Sequence, residues 1–232
     1  MPTLPTLILL PGLLNDAELW RDQIAGLSDV ALCRVADLTR GGTLEALAES
    51  VLAEAPPSFA LAGFSFGGYV AQEIARRAPE RIERLALLDT AIRADSPERA
   101  AARHALTQAA HMAGTFQGIT ERMLASYIDA SRLSDAALTS RIKAMTQRLG
   151  RDVFIRQNEV ERRDGEAALR ALSCPILILC GDADQITPLA DMRAIAAILP
   201  GAEFVVIEGS GHLTPMERPA AVTAALRGWL AR

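Results

Sequence analysis

Phe59-Ala60-Leu61-Ala62-Gly63-Phe64-Ser65-Phe66-Gly67-Gly68-Tyr69-Val70 is the stretch from which the fold is read. Its first half is an apolar run of strand length, and the continuation Ala71-Gln72-Glu73-Ile74-Ala75-Arg76 favours a helix. Between them lies Gly-x-Ser-x-Gly. Three fixed Gly or Ser positions match by chance at about 3 in 10,000 sites, so the bare pattern says little. Its position at a strand-to-helix junction says more. A serine on a tight turn there holds its hydroxyl clear of the sheet, and a side chain at Gly63 or Gly67 would crowd the turn.

Working outward, short apolar runs at Thr6 to Leu10, Ala31 to Val35, Leu85 to Leu88, Pro175 to Cys180 and Glu203 to Ile207 read as further buried strands. Helices are predicted between them. One starts at Asn15 or Asp16 and carries Leu19, Trp20, Ile24 and Leu27; another is capped by Thr43 and stopped by Pro56-Pro57. A third opens at Thr187-Pro188, and the last runs from about Arg218 or Pro219 to Leu230. Six strands alternating with helices imply a doubly wound, mainly parallel sheet with helices on both faces.

From Arg93 to about Ser173 the alternation stops. Helical patterns near 97–111, 120–130, 134–149 and 151–163 follow one another without a strand, punctuated by Gly114, Gly118 and Gly150. This block is too long for a crossover. The expected division is a core of residues 1–92 and 174–232 and a helical cap of residues 93–173, inserted over the carboxyl ends of the strands, where open α/β sheets hold their ligands.

Composition narrows the classes. Hydrophobic residues make up 50% and charged residues 22% of the 232, which describes a globular protein. No apolar run is long enough to span a bilayer, and none is preceded by the basic segment of a secretory leader, so no membrane association is expected. Cys33, Cys174 and Cys180 are an odd set without metal-ligand or redox spacing, read as reduced core residues of a cytoplasmic protein. A net charge of −4 gives no basic face for nucleic acid.

An alcohol is a weak nucleophile at neutral pH, so Ser65 needs a base, and the base needs a partner that fixes its tautomer. Of three histidines, His104 and His111 fall in predicted cap helices amid Ala and Gln and are expected to face solvent. His212 lies in Glu208-Gly209-Ser210-Gly211-His212-Leu213, a turn after the last strand and on the same sheet edge as Ser65. The acid can come from Asp89, Asp182 or Asp184. All three follow strands and keep the order Ser, acid, His, so spacing does not choose among them.

Three motifs in one order resemble the α/β-hydrolase superfamily over nearly the whole length. They are Gly63-Phe64-Ser65-Phe66-Gly67-Gly68, then Gly181-Asp182-Ala183-Asp184-Gln185-Ile186-Thr187-Pro188, then Gly211-His212 with Glu217-x-Pro219. The resemblance implies Asp184 as the acid of a Ser65–His212–Asp184 triad, and an oxyanion hole made by the backbone N–H groups of Phe66 and of Leu13, after Pro11-Gly12. Where the family usually has His-Gly this chain has Pro-Gly. There is also little room before Thr6 for the usual N-terminal strands, so a shortened six-strand sheet is expected. Glu217 is expected to play a structural part, as a carboxylate near a helix N-terminus.

The activity so implied is hydrolysis of a small carboxylic ester or lactone through an acyl-enzyme, with no metal or organic cofactor. The same triad would also serve a carbon–carbon bond hydrolase, a cofactor-independent lyase or a non-turnover binding protein. Leu14, Phe64, Met112, Phe116, Met123 and Tyr127 are the candidate lining of the substrate pocket. The block from Arg93 to Ser173 holds 13 Lys or Arg against 10 Asp or Glu, an excess that solvated helix faces would equally produce.

Overall fold

The computed structural model describes residues 4–112 and 114–232. Six strands form one parallel sheet: β1 (Thr6–Leu10), β2 (Leu32–Val35), β3 (Phe59–Phe64), β4 (Ile82–Leu88), β5 (Ile176–Gly181) and β6 (Glu203–Ile207), in spatial order β2-β1-β3-β4-β5-β6. The chain steps outward from β1 to β2 and then crosses back to build β3 to β6 on the other side. The winding therefore reverses between β1 and β3, and a crevice opens there at the carboxyl edge. Leu10 pairs with Gly63 at that edge, which brings the loop after β1 beside the turn after β3.

Both faces of the sheet are covered, as continuous apolar strands require. On one face Ile8, Leu10, Leu61, Leu85, Leu87 and Ile178 pack against α2 (Leu44–Glu54), α3 (Phe66–Arg77) and α8 (Leu189–Ile198). On the other, the alternate residues Leu7, Leu9, Ala62, Phe64, Leu88 and Leu179 pack with Trp20, Leu27, Leu226 and Trp229 of α1 (Arg21–Leu27), its preceding turn and α10 (Pro219–Leu230). The period-2 alternation of strand side chains divides the core in two. Thr43 caps α2 by accepting the Ala46 N–H at 3.1 Å, as its position suggested.

The structure moves some boundaries. The helix expected from Asn15 or Asp16 begins at Arg21, because Leu14 sits at φ 53° and tight turns such as Leu19 N–H to Asp16 C=O and Trp20 N–H to Ala17 C=O occupy the interval. Between β4 and β5 lie α4 (Pro97–Met112), α5 (Glu121–Tyr127), α6 (Ala136–Glu159) and α7 (Glu166–Arg170). Gly150, at φ 79° and ψ 179°, breaks α6 at the glycine that punctuates the helical pattern in the sequence. The α6 helix also ends four residues sooner than expected. Val160 turns extended, and the Arg162 guanidinium donates to the carbonyls of Gln157 (3.1 Å) and Val160 (2.5 Å), which satisfies backbone acceptors at that end. A four-residue helix, α9 (Thr214–Glu217), precedes α10 and was not foreseen.

The three cysteines are unpaired, but only Cys180 is a core residue; Cys33 and Cys174 are half-buried. No described helix is long and apolar enough to cross a membrane.

Candidate active site

Ser65 stands between β3 and α3 at φ 49° and ψ −114°, a left-handed conformation that a non-glycine residue adopts only when its surroundings enforce it. The enforcement is visible. Ser65 N–H donates to Leu88 C=O at 2.9 Å, and its own carbonyl accepts from Gly68 N–H (2.9 Å) and the Thr90 hydroxyl (2.7 Å). There is no room for other side chains at the turn. A Cβ on Gly67 would lie 2.3 Å from the Leu10 carbonyl oxygen, and one on Gly63 2.6 Å from the Gly67 oxygen. The glycines let the helix start pack against the end of β1.

His212, in the turn after β6, reaches Ser65 directly: its Nε2 lies 2.9 Å from Ser65 Oγ. The opposite ring nitrogen, Nδ1, is 2.8 Å from Asp184 Oδ2. Asp184 is itself fixed, accepting the N–H groups of Ile186 (2.7 Å) and Thr187 (3.0 Å) on Oδ1 and the Thr187 hydroxyl (2.7 Å) on Oδ2. Burial alone would push this carboxyl up, but the His212 ring and the Thr187 donors outweigh it and hold Asp184 below the ordinary carboxylate range. Nδ1 therefore faces an ionised acceptor and carries the proton, which leaves Nε2 free to accept one from Ser65.

The other two acid candidates sit elsewhere. Asp182 accepts the Ser210 N–H at 3.3 Å, which ties the turn after β5 to the turn after β6. Asp89, fully buried at φ 44°, accepts Gly181 N–H at 2.9 Å and the Thr214 hydroxyl. Burial, and after it the neighbouring charge of Asp184, push Asp89 well above the usual carboxylate range. Its hydrogen bonds tie the end of β4 to β5 and α9 and do not include His212.

Leu13 and Phe66 both border the cavity above Ser65. Among the described residues neither backbone N–H has an acceptor within the protein, so both donors remain available. The loop holding Leu13 is braced by a residue that sequence reading passed over. Gln157 of α6, fully buried, accepts Leu14 N–H at 2.8 Å and donates to Leu38 C=O at 3.0 Å.

The cavity measures about 340 Å³. Of the side chains expected to line it only Tyr127 does, together with Leu13 and Phe66; the main additions are Tyr69, Leu106, Phe154, Ile186 and Leu213. The other five lie elsewhere for separate reasons. Phe64 points below the site, with its ring 5.2 Å from that of His212 and 6.4 Å from Trp20, and so supports the His212 ring from the core side. Leu14 is buried by its turn, and Met123 packs into the core beneath α5. Met112 is 85% exposed, and Phe116 stacks on Phe154 at 5.7 Å without reaching the cavity. Helical spacing marks an apolar face but not what covers it. His104 and His111 are exposed on α4, as expected.

The histidine turn is gripped from the last residue of α5 and the segment that follows it. Tyr127 C=O accepts both His212 N–H (2.9 Å) and Leu213 N–H (3.2 Å). Glu217, fully buried, accepts Asp129 N–H at 2.7 Å and Gly211 N–H at 3.0 Å. Its part is structural, as expected, but for another reason: it joins two loops rather than capping a helix. Burial pushes its carboxyl up, partly opposed by those two N–H groups.

Comparison with known proteins agrees with this architecture. Residues 7–226 match the alpha/beta hydrolase family. A pimeloyl-(acyl-carrier protein) methyl ester esterase from Aromatoleum aromaticum is 29% identical over 195 residues, 78% of this chain and 77% of the relative. A thermophilic esterase from Thermogutta terrifontis, with malate bound, superimposes with a TM-score of 0.86 at 32% identity, covering 99% of this chain and 90% of that one. The enol-lactonase from Burkholderia xenovorans (TM-score 0.81, 23% identity, 100% and 93% covered) shares the fold. The chain belongs to the alpha/beta hydrolase family.

Proposed function

We propose that the protein is a serine hydrolase that cleaves a small carboxylic ester or lactone through an acyl-enzyme, with Ser65 as nucleophile, His212 as general base and acid, and Asp184 as its orienting carboxylate. That it is an ester-hydrolysing enzyme follows from its relatives, the esterases named above. The observation that supports the finer reading is the continuous hydrogen-bonded line from Ser65 Oγ through the His212 ring to Asp184, at 2.9 and 2.8 Å.

In this reading Ser65 attacks the ester carbonyl as Nε2 takes its proton, and the N–H groups of Phe66 and Leu13 receive the oxyanion. The imidazolium, stabilised by Asp184, returns the proton to the leaving alkoxide. Water enters, loses a proton to Nε2 and releases the acid, restoring Ser65. Residues 93–173 act as the cap that closes the cavity, and small alcohols suit its limited volume. Incubation with a fluorophosphonate probe tests the nucleophile. Wild-type protein is expected to be labelled at Ser65 and to hydrolyse a short 4-nitrophenyl ester, and Ser65→Ala to lose both. Full esterase activity in Ser65→Ala would overturn the mechanism.

A further inference from the structure

The cavity above Ser65 carries an imbalance of charge that ester cleavage does not require. Arg99, Arg103 and Arg162 border it, and among the described residues Asp95 is the one carboxylate in its lining. Arg103 is neutralised by Asp95, Nε to Oδ2 at 2.6 Å, and Arg99 lies at the exposed mouth with Asp191 at 4.0 Å. Arg162 has no such partner. It is 7% exposed, and among the described residues no carboxylate lies within 4.0 Å of it. A buried guanidinium without a counter-ion is costly, and proteins generally pair one.

The side chain is nonetheless held. Nη1 donates to the carbonyls of Gln157 and Val160, and the guanidinium lies over the Phe66 ring at 4.6 Å and the Tyr69 ring at 5.6 Å. Those two acceptors occupy Nη1 alone. Nε and Nη2, with three of the five N–H donors, make no hydrogen bond to a described residue. Phe66 directly follows the nucleophile, so a guanidinium that no carboxylate pairs with directly stands beside the place where an ester carbonyl would be attacked. Burial, then the like charge of Arg103, push the Arg162 guanidinium down to about 10, which still leaves it cationic at neutral pH.

We propose that Arg162 is an anion subsite, and that the preferred substrate is an ester bearing a second, free carboxylate: a half-ester of a short dicarboxylic acid. The substrate carboxylate takes up Nε and Nη2 as a forked pair, supplying the counter-ion that the fold omits. This deepens the serine-hydrolase reading and rests on it. The subsite contributes to binding of substrate and transition state alike, so it acts on KM more than on kcat.

The test compares monomethyl glutarate with dimethyl glutarate by methanol release, using wild type, Arg162→Gln and Arg162→Lys, with glutarate as competitor of a neutral 4-nitrophenyl ester. Wild type is expected to favour the half-ester at least 10-fold in kcat/KM and to be inhibited competitively by glutarate. Arg162→Gln should collapse that ratio by about 10-fold or more, mainly through KM, with Arg162→Lys intermediate. A wild-type preference for the diester, or no inhibition by glutarate, overturns the proposal without any variant being made. So does an equal loss on both esters in Arg162→Gln, which would make the arginine a structural clamp. Should that variant not fold, the wild-type ratio and glutarate competition decide alone. Calorimetric binding of glutarate to Ser65→Ala separates this subsite from the reaction mechanism: glutarate bound without turnover of either ester by wild type would sink the hydrolase and keep the subsite.

Discussion

Replacing Asp184 by Asn should cost about 10,000-fold in kcat with the fold intact, the order seen when the aspartate of a serine triad becomes asparagine. The structure shows why the loss should be so large for one atom. Asp184 Oδ1 receives two backbone donors, Ile186 and Thr187, so the oxygen of an asparagine is retained there. Its amide nitrogen must then occupy the place of Oδ2, facing His212 Nδ1, now 2.8 Å from an acceptor. An amide donates to Nδ1, so the ring proton moves to Nε2 and points at Ser65 Oγ, 2.9 Å away. The base becomes a donor toward its own nucleophile. At about 1.4 kcal/mol per decade the loss corresponds to roughly 5.5 kcal/mol of transition-state stabilisation. Initial rates on a short 4-nitrophenyl ester measure it, with kcat falling and KM little changed. If Asp184→Asn kept more than a tenth of the rate while Asp89→Asn was crippled, the acid would be Asp89 and the tautomer argument would fail for Asp184.

Asp89→Asn should remain active and become more stable than wild type as pH rises. The folded protein raises this carboxyl above its unfolded value of about 3.9, so its contribution is fully present below that pH and is lost on ionisation through the raised folded-state value. The gap in Tm between variant and wild type should therefore widen upward from about pH 4, and a flat difference across that window would contradict the burial argument; asparagine also tolerates the φ of 44°. Gly67→Ala should unfold or destabilise the protein by more than the ~1–3 kcal/mol of ordinary overpacking, whereas Gly42→Ala, whose Cβ would meet nothing within 4 Å, should leave urea unfolding near wild type. Glu217→Ala strands two N–H donors at about 1–3 kcal/mol each, while Glu217→Gln keeps an accepting oxygen and should cost far less; equal losses in the two variants by denaturant titration would refute the bridging role.

Much of this protein is legible in its sequence because the signals are local. Strand-length apolar runs, the Thr43 cap, the break at Gly150 and the glycine-flanked Ser65 each depend on neighbours a few residues away. The order Ser, acid, His follows from reading the loops in sequence. Resemblance to a family favoured Asp184, but residue spacing alone left Asp89 and Asp182 in play. Their separation is a matter of sheet geometry: residues 147 apart, Ser65 and His212, meet because β3 and β6 end at one edge, and Asp184 meets His212 across 28 residues for the same reason.

The pocket was the least legible part. An amphipathic helix shows which face is apolar and not whether that face meets core, cavity or solvent, so Met112 and Met123 carried the same signal as Tyr127. Arg162 read as one of thirteen cations in a solvated block until tertiary packing buried it over Phe66 without a carboxylate. Local sequence thus determined the elements and the turn at Ser65, since both are set by short-range sterics and periodicity. Only the tertiary structure decided which carboxylate meets His212 and which lining and which charge meet at Ser65, because desolvation and long-range pairing exist only once the sheet is assembled.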